Sequence, residues 1–132
     1  MPMISEAVYS LLQASSTLTD EIGNRLRPNV IEESDQLPAV AYQRIAAPAT
    51  ITHDGGGNFT RSTFQFDIVA ATALKAQQIE TIIFTILNGY RGTSAGLKIH
   101  QANRLRAADT IGRVGQNFQA TADYYLLHDT ES

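Results

Sequence analysis

The sequence predicts an α+β fold, in which a mostly antiparallel sheet of about four to five strands packs two main helices on one face. Two stretches carry helical periodicity, and several others alternate apolar and polar residues so that each strand has one apolar face. With 132 residues, 43% of them hydrophobic, the chain is long enough to bury its own core, so we expect a single domain over residues 1–132.

Two main helices are predicted, over residues 3–14 and within "ALKAQQIETIIFTILNG". Thr72 is expected to cap the second helix, and Gly89 is placed to end it. Between the helices, "SSTLTDEIGN" predicts one short helical turn, capped by Thr17 and closed by Gly23. The apolar residues that repeat at helical spacing are Ile4, Ala7, Val8, Leu11 and Leu12 in the first helix and Ile79, Ile82, Ile83, Ile86 and Leu87 in the second.

Strands are predicted at residues 25–31, 39–46, 63–70, 97–107 and 117–129, the first as an edge strand because Pro28 interrupts it. The strand at 63–70 has the clearest alternation, and we expect its Phe66 to meet Ile83 of the second helix in the core. Segments 49–61 and 103–115 are predicted as variable loops, and "YRGTSAG" as a turn. The polar strand positions, which suit a neighbouring subunit as well as water, are Gln65, Asp67, Gln119, Thr121 and Asp123.

Composition excludes several classes of function. The chain has no cysteine, so it has neither a disulfide framework nor a thiolate metal site. Its formal net charge of −3 does not favour electrostatic capture of nucleic acid. The N-terminal "MPMISEAVYSLLQ" lacks a basic signal-peptide start, and no apolar run is long enough to span a bilayer. No cofactor is implied.

The segment "DGGGN" invites three interpretations: a phosphate cradle, a tight turn, or an arm that docks on a neighbour. It lacks the Gly-Lys-Ser/Thr ending of a P-loop, and it precedes a strand rather than a helix. We therefore predict a flexible loop at about 49–61 that orders against a neighbouring chain. Its candidate assembly contacts are His53, Asp54, Gly55, Gly56, Gly57, Asn58 and Arg61.

Other polar residues give no catalytic pattern. The three histidines lack metal-ligand spacing, and a small hydrolase that uses His53 or His100 is the least favoured alternative. In "NRLRAADTIGR", Arg104, Arg106 and Arg113 either touch DNA phosphates or form ion pairs at a protein interface. The absence of interleaved aromatic residues favours the interface, so Arg104 and Arg106 join the candidate assembly contacts.

Five segments follow one another in an order that resembles the tail-completion and tail-terminator proteins of long-tailed bacteriophages and prophages. They are "ISEAVYSLL", "LPAVAYQRI", "FQFDIVAAT", "LNGYRG" and "FQATADYYL". The resemblance extends from about Ile4 to Leu127. It implies a structural protein of the virion tail rather than an enzyme, assembled in the bacterial host cytoplasm.

This resemblance also implies the partners. The chain is expected to form a homo-oligomeric ring, commonly a hexamer, between the tail-tube protein and the head-completion (stopper) protein. DNA would pass through that ring without sequence-specific binding, and no membrane is involved. The alternative is another head–tail connector, adaptor or tail-tube component with a similar small fold.

Overall fold

Three helices and seven strands make up the part of the chain that the computed structural model describes, which is residues 3–23, 25–28, 38–46, 51–52, 58–114 and 117–129. The helices are α1 (Ile4–Gln13), α2 (Ser16–Ile22) and α3 (Ala73–Leu87). The strands are β1 (Leu26–Pro28), β2 (Ala39–Ala46), β3 (Ile51–Thr52), β4 (Asn58–Ala70), β5 (Gly92–Ser94), β6 (Leu97–Val114) and β7 (Asn117–Asp129).

All of these strands belong to one sheet in the order β1-β2-β4-β7-β6-β5, with β3 paired to the beginning of β4. The α+β class is confirmed, but the predicted count of four to five strands is too low. The sheet is also mixed, because β1 runs parallel to β2 while the other described pairs are antiparallel. Two of the additional strands, β3 and β5, contain only two or three residues, too few to show an alternating pattern in the sequence.

The core lies between the helices and one face of the central strands. In β4, buried and partly exposed residues alternate strictly from Arg61 to Ala70, and β7 presents its own buried residues to the same side. Ile83 and Phe66 are both fully buried, as predicted. The largest fully buried side chains are Tyr124, Phe64, Phe66, Ile4, Leu12, Leu18, Ile22, Ile68, Ile79, Ile83, Leu87 and Ile99.

Helix ends follow local hydrogen-bonding chemistry, with one correction. The hydroxyl of Thr72 accepts a hydrogen bond from the N–H of Lys75 at 3.1 Å, so the predicted cap of α3 is confirmed. The predicted cap of α2 is wrong: the hydroxyl of Ser15 accepts from the N–H of Leu18 at 3.3 Å, and Thr17 lies inside the helix. All three residues of the Ser-Ser-Thr run have a hydroxyl that can cap a helix, so composition alone does not show which of them caps α2.

Strand β6 corrects the second predicted loop. Residues 103–115 were expected to form a loop, but β6 continues without interruption to Val114. Its register against β7 shifts between Ile99 and Gln101, between Arg104 and Arg106, and between Thr110 and Arg113. The first two shifts each insert one residue in β6, which moves the later side chains to the opposite position in the alternation and hides the strand from a period-two search.

The predicted loop at 49–61 has strand structure at both ends. Ile51 and Thr52 of β3 pair with Phe59 and Asn58 of β4, and β4 then continues through Arg61. His53, Asp54, Gly55, Gly56 and Gly57 lie outside the described residues. The predicted "YRGTSAG" turn contains the short strand β5, which pairs with the beginning of β6.

Candidate assembly surface

Polar side chains cover the face of the sheet that points away from the helices. We call this the outer sheet face, and its members come from four adjacent strands. They are Gln43 of β2, Gln65 and Asp67 of β4, Gln119, Thr121, Asp123 and Tyr125 of β7, and Asn103 and Arg106 of β6. Alternation along β4 and β7 predicted five of these positions. The residues on β2 and β6 join the same face only because their strands pair with β4 and β7.

These side chains bond to one another across the strands. Gln43 Nε2 donates to Gln65 Oε1 at 3.2 Å, which joins β2 to β4. The Thr121 hydroxyl donates to Asp67 Oδ1 at 3.1 Å, which joins β7 to β4. The Tyr125 hydroxyl and Gln101 Nε2 both donate to Asn103 Oδ1, at 3.1 and 2.8 Å. The outer sheet face is therefore an ordered array of amides and hydroxyls that also contains the charged residues Asp67, Asp123 and Arg106.

A buried carboxylate lies within this array. Arg106 Nε donates to Asp123 Oδ2 at 2.9 Å, and the Arg106 side chain is 69% exposed whereas that of Asp123 is 10% exposed. The second oxygen, Asp123 Oδ1, is buried and has no hydrogen-bond partner among the described residues. An unpaired buried acceptor carries a desolvation cost of about 1–3 kcal/mol.

Arg104 is directed to the opposite side of β6 from Arg106. Its Nη1 donates to Glu80 Oε1 of α3 at 2.9 Å, and its guanidinium lies 4.3 Å from the centre of the Phe84 ring. Its backbone N–H donates to Asn88 Oδ1 at 2.9 Å. The sequence grouped Arg104 and Arg106 as one patch, but the bulge between them separates their directions. Each pairs with a carboxylate of its own subunit.

Of the predicted contact residues in the glycine-rich segment, Arg61 is the one that the structure describes most fully. It lies on β4, is exposed, and holds its guanidinium 4.5 Å from the centre of the Tyr125 ring. Asn58 is the first residue of β4 and pairs with Thr52. Arg61 therefore borders the outer sheet face, which places this end of the segment beside the polar array.

Sequence reasoning missed a buried serine–histidine pair at the far end of the core. Ser62 Oγ lies 2.8 Å from His128 Nε2, and His128 Nδ1 lies 2.7 Å from the backbone oxygen of Asp129. If Nδ1 carries the proton and donates to that oxygen, Nε2 accepts from the serine hydroxyl. A serine beside a histidine acceptor is the arrangement of an activated nucleophile, but both side chains are fully buried, so no substrate reaches the hydroxyl in this conformation. The pair joins strands β4 and β7.

His100, named in the hydrolase alternative, lies beside Asp129, with His100 Nε2 2.6 Å from Asp129 Oδ1. No group of three or more acidic, histidine or cysteine residues suited to a metal ion occurs in the described part of the chain. Two surface depressions have volumes of about 490 and 300 Å³. The larger lies between α2 and α3 and is lined by Glu21, Leu74, Gln77, Gln78, Thr81 and Ile82.

Two tyrosines in the core have altered acidity. Burial raises the pKa of Tyr124, and the Glu80 carboxylate raises it further, against the opposing effect of Arg104. Burial, followed by the neighbouring Tyr9, raises the pKa of Tyr42. Both effects favour the neutral phenol. Tyr124 is fully buried, whereas Tyr42 lines the depression of about 300 Å³ together with Tyr9.

Comparison with known proteins reveals a shared fold. No family model and no curated protein matches the sequence. A solved chain from the "virion of native gene transfer agent (GTA) particle" superposes with a TM-score of 0.75 over 94% of this chain and 92% of that one, at 14% sequence identity. A second solved chain, which carries only a sequence designation, gives a TM-score of 0.53 over 92% of this chain and 96% of that one, at 13% identity.

These likenesses cover almost the full length of all three chains, so the helix and strand order described above recurs as a unit. At such low identity they establish the fold and leave function to be argued from the surface of this chain. Within the described residues, no helix is both long enough and apolar enough to cross a membrane.

Proposed function

We propose that this chain is a structural protein of a phage-like virion, which completes the tail tube as an oligomeric ring and forms part of the head–tail interface. The observation that carries the proposal is the full-length fold likeness to a chain of the gene transfer agent virion, at a TM-score of 0.75. The order of sequence segments that resembles tail-completion proteins supports it independently, because that order is a property of the sequence alone.

The outer sheet face supports an assembly role. Its amides and hydroxyls are held in place by hydrogen bonds between strands, so docking a neighbour would immobilise few additional side chains. Two of its three charged residues, Arg106 and Asp123, already pair with each other, so docking would not have to neutralise them.

The proposed partners follow from the tail position. The ring, taken to be a hexamer, would contact the tail-tube protein on one side and the head-completion protein on the other, and DNA would pass through its centre. Arg104 and Arg106 are neutralised by Glu80 and Asp123 within the subunit. Such a surface would bind the DNA backbone weakly, which fits a channel through which DNA passes rather than a DNA-binding site. Assembly would take place in the host cytoplasm.

The decisive experiment uses cells that produce the particle but lack this gene. Their tails should be of uncontrolled length and fail to join heads. Adding the purified protein to such tails should stop further growth and permit joining, with a ring of protein density at the tube end by electron microscopy. Normal tails in the deletion strain would refute the proposal. Density at the portal side of the joint, or along the tube, would instead support the connector or tail-tube alternative.

A further inference from the structure

We propose that the depression between α1, β2 and the β5–β6 turn binds a guanidinium group, which lies against the ring of Tyr9 and pairs with the carboxylate of Glu6. The depression has a volume of about 300 Å³. It belongs to the single chain, so the site does not depend on the ring described above. Its described lining residues are Ser5, Glu6, Tyr9, Ser10, Tyr42 and Ala95.

An arginine of this protein is already held by the same combination of groups. On α3, Glu80 and Phe84 lie one helical turn apart, and both contact Arg104. Glu80 Oε1 accepts a hydrogen bond from Arg104 Nη1 at 2.9 Å, and the guanidinium carbon lies 4.3 Å from the centre of the Phe84 ring. A carboxylate and an aromatic ring on one helix face therefore orient a guanidinium in this protein.

Helix α1 presents the same two groups to the depression. Glu6 and Tyr9 are three residues apart, so they lie on one face of the helix. Tyr9 is 38% exposed, and Glu6 is exposed as well. Unlike Glu80, Glu6 forms no ion pair with any residue that the structure describes. Both groups are therefore accessible to a cation from another molecule.

A second ring forms the inner wall of the depression. Tyr42 of β2 is buried, and its ring centre lies 6.5 Å from that of Tyr9, with the two planes inclined by 40°. Tyr42 in turn stacks on Phe66 of the core, again with ring centres 6.5 Å apart. Because Tyr9 packs on a ring that the core holds in place, a guanidinium would immobilise little of the site on binding.

A tight turn with an unusual backbone forms part of the rim. Ala95 and Gly96 are the two residues between the paired Ser94 and Leu97, and their φ angles are 50° and 82°. In such turns the residue before the glycine is usually Asn, Asp or Gly, because alanine rarely adopts a positive φ. Strained residues of this kind cluster at ligand sites. The short side chain at position 95 also leaves the depression wider than a longer one would.

The lining favours a guanidinium over other groups. Glu6 is the charged residue among the described lining residues, so a cation is attracted and an anion is repelled. A guanidinium is planar and stacks on a ring face, and its five N–H donors can serve several acceptors at once. The hydroxyls of Ser5 and Ser10 lie beside the carboxylate as further acceptors. An arginine side chain and a small guanidinium compound share this chemistry.

An NMR titration of the isotope-labelled chain tests the site. The probe is N-acetyl-arginine amide, and its neutral isostere N-acetyl-citrulline amide is the control. We expect saturable shifts at the amides of Glu6, Tyr9 and Ala95 with the arginine probe and none with citrulline. Ethylguanidinium distinguishes the two sources. Equal affinity for it indicates a site for small guanidinium compounds, whereas tighter binding of the arginine probe indicates a site for a protein side chain.

Three variants separate the site from general charge effects. Glu6→Gln and Tyr9→Leu should each weaken binding about two- to fivefold, the range of an exposed ion pair or cation–π contact. Asp20→Asn makes the same charge change at an exposed position of α2 outside the depression, and it should leave the affinity unchanged. Absence of saturable shifts, equal binding of citrulline, or equal losses in Glu6→Gln and Asp20→Asn would refute the site. The tail-joining experiment judges the proposed function separately.

Discussion

Ser62 and His128 are 66 residues apart in the chain, yet the Oγ of one lies 2.8 Å from the Nε2 of the other in the interior of the protein. The contact links β4 and β7, which pair with each other in unbroken register over twelve residue pairs. A polar pair of this kind is satisfied only when the two strands are correctly aligned. If one strand shifted by one residue, its member of the pair would turn to the outer sheet face and the other would stay buried without this partner.

The first prediction concerns this pair. Ser62→Ala removes the hydroxyl beside the buried imidazole, and we expect the free energy of unfolding to fall by about 1–3 kcal/mol. Urea denaturation measures the loss. Ser10→Ala, at an exposed position of α1, is the control and should change stability little. Equal stability of the two variants would show that the Ser62 hydroxyl contributes no net hydrogen-bond energy.

The second prediction tests the packing of α3 on the sheet. Ile83→Ala removes a fully buried aliphatic side chain and should cost about 2–5 kcal/mol. Leu74 lies on the same helix but is 65% exposed, so Leu74→Ala is a matched control that should leave stability nearly unchanged. Both variants are compared in urea at one temperature. A similar loss in both would mean that helix propensity, rather than burial, determines the effect.

The third prediction concerns alkaline pH. Because burial raises the pKa of Tyr124 in the folded protein, the unfolded chain releases this proton first as pH rises. The stabilising contribution is complete below about pH 10, the ordinary tyrosine pKa, and is lost progressively above it. Tyr124→Phe should therefore lose less stability than wild type between about pH 10 and 11.

The Tyr124 hydroxyl is buried beside the Arg104 side chain and makes no hydrogen bond of good geometry within the described residues, so at neutral pH Tyr124→Phe should change stability by about 1 kcal/mol or less. Thermal melts of both proteins at neutral and alkaline pH provide the measurement. Parallel losses of stability in the two proteins would exclude Tyr124 as a source of alkaline sensitivity. The remaining slope in the variant should include Tyr42, whose pKa is also raised by burial.

The fourth prediction concerns the glycine-rich segment. Replacing residues 53–57 with Asn-Gly should form a tight hairpin between Thr52 and Asn58, which already pair. The melting temperature should change little, because loop-closure entropy depends only weakly on length. Ring formation or tail joining should be impaired if His53 and Asp54 contact a neighbour. A five-residue Gly-Ser replacement separates the effect of length from that of side chains. Full assembly of both variants would leave the segment with no role in assembly.

Local sequence patterns predicted the parts of the fold that depend on local interactions. Helices α1 and α3, the Thr72 cap and strand β2 follow from periodicity and capping chemistry within a few residues. The strand character of residues 108–114 was missed because bulges at Arg104 and Thr110 interrupt the alternation. Strand β5 was missed because Gly92 and Gly96 make its segment resemble a turn.

The sequence predicted only part of the outer sheet face, because local patterns do not show which residues of different strands lie side by side. Alternation along β4 and β7 identified Asp67 and Thr121 as members of a polar face, but no sequence pattern shows that they bond to each other. The arginines at 104 and 106 looked like one patch because they are close in sequence. Their carboxylate partners, Glu80 and Asp123, come from different elements and are brought there by the fold.

The central pairing of β4 with β7 has a consequence for biosynthesis. Its partners, from Ala70 with Phe118 to Phe59 with Asp129, are separated by roughly 50 to 70 residues of chain, a separation that slows folding. Strand β7 lies between β4 and β6, so neither can complete its pairing until β7 has left the ribosome. Translation through β7 must therefore precede the native sheet, and nascent chains carry exposed apolar strands that chaperones would be expected to protect.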